Sequence, residues 1–481
     1  MLFNSLTFLI FFPLVTIIYF LLPHRARWAW LLAASCYFYM FFKAVYILIL
    51  FFTIIIDYYA GILLENEKNA QRKKWWLIAS LIANIGVLAV FKYFNFLNNN
   101  LSGLCTLFGS TNPIPYLSIL LPIGLSFHTF QAMSYTIEVY RGHQKAERHF
   151  GIYALYVMFY PQLVAGPIER PQNMLHQFYE KHVFDYTRVV EGLRLMLWGM
   201  FKKIVIADRL TLFVDPVYNH PNDYHGFQTI LATIFFSFQI FCDFSGYSDI
   251  ALGSAKVMGF DLMVNFNRPY FSKSISEFWK RWHISLSTWF RDYLYISLGG
   301  NRVSKSRTYF NQFITFMISG LWHGANWTFV IWGSLHGAYL VIGEFTKTFR
   351  RKMGANLGLG KTPFLNKLIQ VSSTFFLAAF AWIFFRAATF SDAVTIIKNS
   401  LHVSKAQLGL YMLGKDTYNF VLCFLFIGLM EAVHWLMRKG DVNYLLNKQT
   451  VYVRWIVYLL FLLLIINFGI LGNHQFIYFQ F

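Results

Sequence analysis

Residues 308–345 read TYFNQFITFMISGLWHGANWTFVIWGSLHGAYLVIGEF, two apolar arms joined at a short break. His323 sits at that break. An ionisable side chain at membrane depth is expensive, and by default it marks a functional site. Gly320 precedes it, and Gly324 and Ala325 follow; residues this small let a substrate or another helix approach the backbone. From Thr308 to Trp322 is fifteen residues, about 22 Å of helix, short of a hydrocarbon core of about 30 Å. The turn at His323 is therefore expected within the membrane thickness. Irregular backbone at that depth must be buried in protein or line a wet cavity. The stretch predicts a re-entrant excursion with a cavity at its tip.

The rest of the chain is consistent with a membrane setting. Of 481 residues 57% are apolar and 20% aromatic, and only 13% are charged, about half the usual globular share. The class is an all-α polytopic membrane protein, read as a single integral-membrane domain over 1–481. The net charge of +19 does not indicate nucleic-acid binding: the basic residues fall in short loops between apolar spans, with no separate basic domain. Cys36, Cys105, Cys242 and Cys423 lack metal or redox spacing and do not report a compartment. The N-terminal apolar run has neither a basic leader nor a small-residue cleavage site, so it reads as a retained span.

Windows of ~20 apolar residues occur near 3–22, 28–44, 45–63, 75–95, 114–137, 187–213, 226–250, 367–386, 416–436 and 453–472. With shorter segments around Pro161 and His323, the expectation is about eleven crossings plus re-entrant and interfacial helices. Placing the N-terminus outside puts Arg25, Arg27, Lys68, Arg72, Lys73, Lys74, Arg141, Lys145 and Arg148 on the cytoplasmic side, as the positive-inside rule requires. On that orientation 260–307 and 346–367 are cytoplasmic, so 308–345 begins and ends inside.

The 260–307 segment mixes Trp279, Trp282 and Trp289 with Lys280, Arg281 and Arg291, an interfacial amphipathic composition. Ser274 or Ser276 is a candidate cap for a helix running through it and carrying His283.

Four stretches resemble the membrane-bound O-acyltransferases, in the bacterial branch of alginate O-acetylation: LPIGLSFHTFQ (121–131), YPQLVAGPIER (160–170), DFSGYSDIA (243–251) running on to FWKRWHISLS (278–287), and GLWHGAN (320–326). With the aromatic C-terminus they span essentially the whole chain. The resemblance implies helices around a thinned centre, with a central tunnel meeting a funnel from the opposite face. It implies that His323 matches the family's essential histidine and His283 its second one. The implied activity is acyl transfer from a cytoplasmic thioester, acetyl-coenzyme A or an acyl carrier protein, towards hydroxyls of an exported or cell-wall polysaccharide. It also implies a bacterial plasma-membrane location and a separate extracytoplasmic acetyltransferase, an SGNH-like partner, which the uncharged outer loops or an exposed tail at 476–481 would dock; lipid anchoring explains that tail equally well.

Thioester-to-hydroxyl transfer needs a base for the hydroxyl proton and donors for the developing oxyanion. A buried, neutral histidine suits the first task. Asn326 and the indoles of Trp322 or Trp327 are candidate donors, or would fix the ring. Lys280, Arg281 and Arg291 suit an anionic donor such as a coenzyme A phosphate, with contact to anionic membrane lipid as the competing reading. For His323 the competing reading is a core histidine bonded to a carbonyl. Asp243 and Asp249 end an apolar span and are expected to pair with cations. His128 reads as a packing or hydrogen-bonding residue. His336 lies thirteen residues past His323, about 220° around an unbroken helix, and reads as structural. No paired-ligand spacing points to a metal.

Two other activities fit the acyltransferase class: D-alanyl or fatty-acyl transfer to teichoic acid, protein or lipid. A transporter or flippase is the non-enzyme alternative, but the two related halves with paired broken helices that transporters show are absent. A scaffold subunit with incidental histidines is the third class.

Overall fold

The computed structural model describes residues 1–118, 122–163, 166–402, 416–470 and 476–477. They form two compact units, Met1–Met196 with Ile250–Met263, and Leu197–Asp249 with Val264–Phe481. Regular structure among the described residues is helical throughout.

Among the described residues, six helices are long and apolar enough to cross a membrane: Ala44–Asn66, Ala70–Leu107, Phe227–Met258, Pro363–Arg386, Thr417–Lys439 and Val451–Phe468. Each coincides with a window read from sequence. The remaining windows are also helical but shorter or more charged. Leu6–Leu21 is a shorter apolar helix. In the 114–137 window the helix among the described residues is Leu125–Arg141. The 187–213 window lies in a helical run that carries Lys202, Lys203, Asp208 and Arg209.

The first unit includes α1 (Leu6–Leu21), α2 (His24–Met40), α3 (Ile47–Asn66), α4 (Ala70–Leu88), α5 (Leu125–Arg141) and α6 (Phe150–Met158). A deeply buried acid on a spanning helix, Asp57, accepts Ser80 Oγ at 2.5 Å and Asn84 Nδ2 at 2.9 Å. His128 is buried on α5 with its ring 5.9 Å from Tyr39, in keeping with a packing role. Glu169, from the 160–170 stretch, is fully buried and accepts the Met263 N–H at 2.5 Å. Burial pushes its carboxyl up to about 7.

α7 (Tyr186–Met200), α8 (Asp208–Asn219) and α9 (Phe227–Met258) follow. The second unit also holds α10 (Ile275–Trp279), α11 (Ile284–Phe290), α12 (Lys305–His323), α13 (Trp327–Phe345), α14 (Pro363–Arg386), α15 (Thr417–Leu436) and α16 (Val451–Phe468). Its core is aromatic: Phe235, Phe236, Trp282, Trp332 and Trp382 are among its largest members.

The excursion folds as a helical hairpin. Ser304 Oγ caps α12 by accepting the Arg307 N–H, and α12 ends at His323 because Gly324 is extended. Asn326 then starts α13, its Oδ1 accepting the Thr328 N–H at 3.1 Å. The arms touch backbone to backbone: a Cβ on Gly320 would lie 2.2 Å from the Phe329 carbonyl oxygen and 3.1 Å from Gly333 Cα. The Gly324 Cβ would strike the Phe329 ring at 2.2 Å. The small residues around His323 thus serve helix packing.

Candidate active site

Two buried histidines meet in the second unit. His323, 4% exposed, closes α12, and His283, 0% exposed, precedes α11. Their ring centroids are 6.5 Å apart, too far for a direct hydrogen bond and close enough to flank one reacting group. Trp322 joins them, 4.9 Å from His323 and 6.4 Å from His283 between ring centroids. Trp332 at 4.9 Å and Phe385 at 5.4 Å complete an aromatic wall around His323.

His283 does not ride on a helix, as the amphipathic reading expected. Ser274 caps α10 as foreseen, its Oγ accepting the Glu277 N–H at 3.1 Å, but α10 ends at Trp279. His283 itself adopts φ 44° and ψ 56°. This left-handed backbone is rare outside glycine and stores about 1–3 kcal/mol, a strain that clusters at functional sites. Nor is the segment an interfacial stripe: Trp279, Trp282 and Trp289 are 7%, 1% and 5% exposed and belong to the interior.

Asn265 holds the turn, and sequence reasoning missed it. Its Oδ1 accepts His283 Nδ1 at 3.1 Å, the Ser285 N–H at 3.2 Å and Ser285 Oγ at 3.0 Å, and its carbonyl accepts the Ile284 N–H at 2.9 Å. No motif spacing signals an asparagine so far from its histidine in the chain. Burial pushes the His283 imidazole down to about 3, so it is neutral at physiological pH.

A cavity of about 470 Å³ lies near the pair, but neither histidine is among the residues that line it, so it is not the cavity expected at the His323 tip. Ile284, next to His283, and Ser319, one turn before His323, line it, with Trp279 as an aromatic wall. Lys280 and Arg291 supply its cationic edge. Arg281 does not line it; its guanidinium pairs with Glu277 at 2.6 Å. Asn326 is likewise taken up elsewhere, capping α13 and donating to the Ala388 carbonyl at 2.9 Å, so its amide serves the hairpin and not the histidines.

His336 lies nearer the site than sequence indicated. The face argument assumed an unbroken helix, but the chain turns between α12 and α13. Trp332 consequently contacts both imidazoles, His336 at 5.1 Å and His323 at 4.9 Å. His336 Nδ1 accepts the Trp279 indole N–H at 3.2 Å.

Asp243 and Asp249 pair with cations as expected. A wide π-type turn over Phe201–Ala207 buries two consecutive lysines. Lys203 Nζ lies 2.7 Å from both Asp208 and Asp243, and Lys202 Nζ lies 2.8 Å from Asp249 and from Ser245 Oγ. The free Asp243 oxygen, Oδ2, accepts the Ile477 N–H at 2.8 Å, and Phe476 packs 4.5 Å from Tyr247 and 5.6 Å from Phe244. The start of the expected exposed tail is therefore buried; residues 478–481 lie outside the described residues.

The model of the MBOAT, membrane-bound O-acyltransferase family matches residues 142–356, a range that contains both histidines. The chain is 41% identical over 393 residues to the probable alginate O-acetylase of Pseudomonas aeruginosa, covering 80% of this chain and 72% of that protein. It is 35% identical over 503 residues to the probable alginate O-acetylase of Pseudomonas putida, covering 100% of each. It is 34% identical over 440 residues to the peptidoglycan O-acetyltransferase of Helicobacter pylori, covering 85% and 81%. The chain belongs to the membrane-bound O-acyltransferase family. It is a multi-pass membrane enzyme, an O-acyltransferase.

Proposed function

We propose that this enzyme moves an acetyl group from a cytoplasmic thioester across the membrane towards hydroxyls of an exported or cell-wall polysaccharide. The relatives' names, alginate O-acetylase and peptidoglycan O-acetyltransferase, support the acyl group and the acceptor class. The observation that carries the reading is the pair of buried imidazoles 6.5 Å apart, with a cation-edged cavity lined by the neighbouring residues Ile284 and Ser319. His323 and His283 are the acid–base groups, taking the hydroxyl proton and returning it to the leaving thiol. Trp322, whose ring lies against both imidazoles, supplies the indole N–H donor for the developing oxyanion. Lys280 and Arg291 suit the phosphates of coenzyme A or of a carrier protein's phosphopantetheine. The active site works across the bacterial plasma membrane with the N-terminus outside, and an extracytoplasmic SGNH-like acetyltransferase passes the group to the glycan.

The test is His323→Ala in membranes supplied with labelled acetyl-coenzyme A. The enzyme reading expects loss of label transfer with folding and assembly intact. Full transfer by the variant would leave only a scaffold role. Loss of glycan flux with unchanged donor consumption would mark a transporter. Label from D-alanyl carrier protein or fatty-acyl donors in place of acetyl would change the acyl group but keep the site.

A further inference from the structure

We propose that Asn265 is a positioning residue that fixes the tautomer of His283, leaving Nε2 as its proton-accepting nitrogen. The inference deepens the reading of His283 as catalytic and rests on it for its functional consequence.

The assignment follows from what each atom can do. The Ser285 backbone N–H can only donate, and it points at Asn265 Oδ1 at 3.2 Å. The amide atom facing this turn is therefore the oxygen, and an amide oxygen only accepts. The His283 nitrogen 3.1 Å from that same oxygen, Nδ1, must carry a hydrogen. A neutral imidazole has one ring hydrogen, so Nε2 holds the lone pair. With the other tautomer, two lone pairs would oppose each other at 3.1 Å.

Asn265 is held from both sides. It is 1% exposed, its carbonyl accepts the Ile284 N–H at 2.9 Å, and the Asn267 N–H donates to the Arg281 carbonyl at 2.9 Å. The same contacts hold His283 in its left-handed conformation. Ring neighbours from the packed elements are Phe244 on α9, Phe266, and Trp322 and His323 on α12; of these only His323 titrates. The α9 carboxylates Asp243 and Asp249 are neutralised by Lys203 and Lys202.

The consequence is a division of labour. While neutral, His283 cannot donate to a thioester carbonyl, so it is not an oxyanion donor. As the hydroxyl oxygen bonds the acyl carbon and the C–S bond breaks, Nε2 can take the hydroxyl proton and hand it to the leaving thiolate.

Solid-state ¹⁵N spectra of the full-length, histidine-labelled protein in lipid test this directly, with His283 assigned by its loss in His283→Gln. The expected spectrum has a protonated Nδ1 and an unprotonated Nε2. Asn265→Asp should preserve that pattern, and Asn265→Leu should abolish it, giving the other tautomer or a mixture. An Nε2–H tautomer in the wild type, or an Nδ1–H pattern unchanged in Asn265→Leu, overturns the proposal. Should Asn265→Leu fail to fold, the wild-type and Asn265→Asp spectra decide alone. Acyl transfer then separates the two readings. The proposal expects Asn265→Leu to lower kcat at least ten-fold with donor KM within two-fold, and a wild-type kcat in a folded Asn265→Leu overturns its functional part. Full transfer by His283→Gln would refute the catalytic reading of His283 and leave the tautomer assignment to the spectrum.

Discussion

At the scale of single residues the site depends on rings held in place by rings. On the proposed reading His323→Ala removes an acid–base group, and losses of about 10²–10⁴-fold in transfer rate are expected for such a group. Thermal unfolding should change little by comparison, because the aromatic wall of Trp322, Trp332 and Phe385 is retained. His336 makes a contrasting case. It accepts the hydrogen bond of Trp279, and Trp279 walls the cavity. His336→Phe keeps the bulk but leaves a buried indole N–H unpaired, which costs about 1–3 kcal/mol. A lowered unfolding midpoint and a raised donor KM are expected, with kcat less affected; a raised kcat defect with unchanged KM would place His336 in the chemistry. His323 was legible in sequence because an ionisable residue interrupts an apolar stretch. His336 was misread because helical angles were carried across a turn. Asn265 was invisible, since only folding brings it to His283.

The helices show the same division between local and non-local information. Long apolar windows locate helices, because every backbone polar group must be satisfied within the segment, but only six of the ten windows hold a helix long and apolar enough to span among the described residues. The hairpin of α12 and α13 was also legible, from its length and its glycines. Composition failed in the 270–292 segment: alternating tryptophan and cationic residues suggest an interface, but the fold turns the tryptophans into the core, leaves Lys280 and Arg291 at a cavity edge and pairs Arg281 with Glu277. Two predictions belong to this scale. Gly320→Val puts side-chain atoms where Phe329 and Gly333 already sit; overpacking of about 1–3 kcal/mol should separate α12 from α13, measurable as a lower unfolding midpoint and lost transfer. Lys203→Met leaves Asp208 and Asp243 buried without their cation, and breaking a buried pair in this way costs about 3–5 kcal/mol. Adding Asp208→Asn and Asp243→Asn should recover much of that loss. A triple variant no more stable than Lys203→Met would show that the cluster does more than balance charge.

In the fold as a unit, His283 and Glu169 are two of the buried titratable groups, and they give stability opposite dependences on pH. His283 has its pKa depressed from 6.5 to about 3. Below 6.5 the unfolded chain binds this proton and the folded one does not, so the His283 contribution is fully present above 6.5 and is lost as pH falls towards 3. Glu169 has its pKa raised from 4.5 to about 7. Between those values the folded chain binds the proton and the unfolded one does not, so stability declines as pH rises through that window. Where the windows overlap, 4.5 to 6.5, the two slopes oppose each other. Substitution separates them. Glu169→Gln keeps a neutral hydrogen-bonding group, so it should raise the unfolding midpoint at pH 7.5 and leave a profile that climbs steadily from acid to neutral pH. His283→Gln should weaken that acid-side climb while the decline above pH 4.5 persists. Unfolding midpoints of the full-length protein in lipid from pH 4 to 8 distinguish the cases. Profiles of the two variants that both parallel the wild type would show that neither group's burial governs the acid–base stability of the fold.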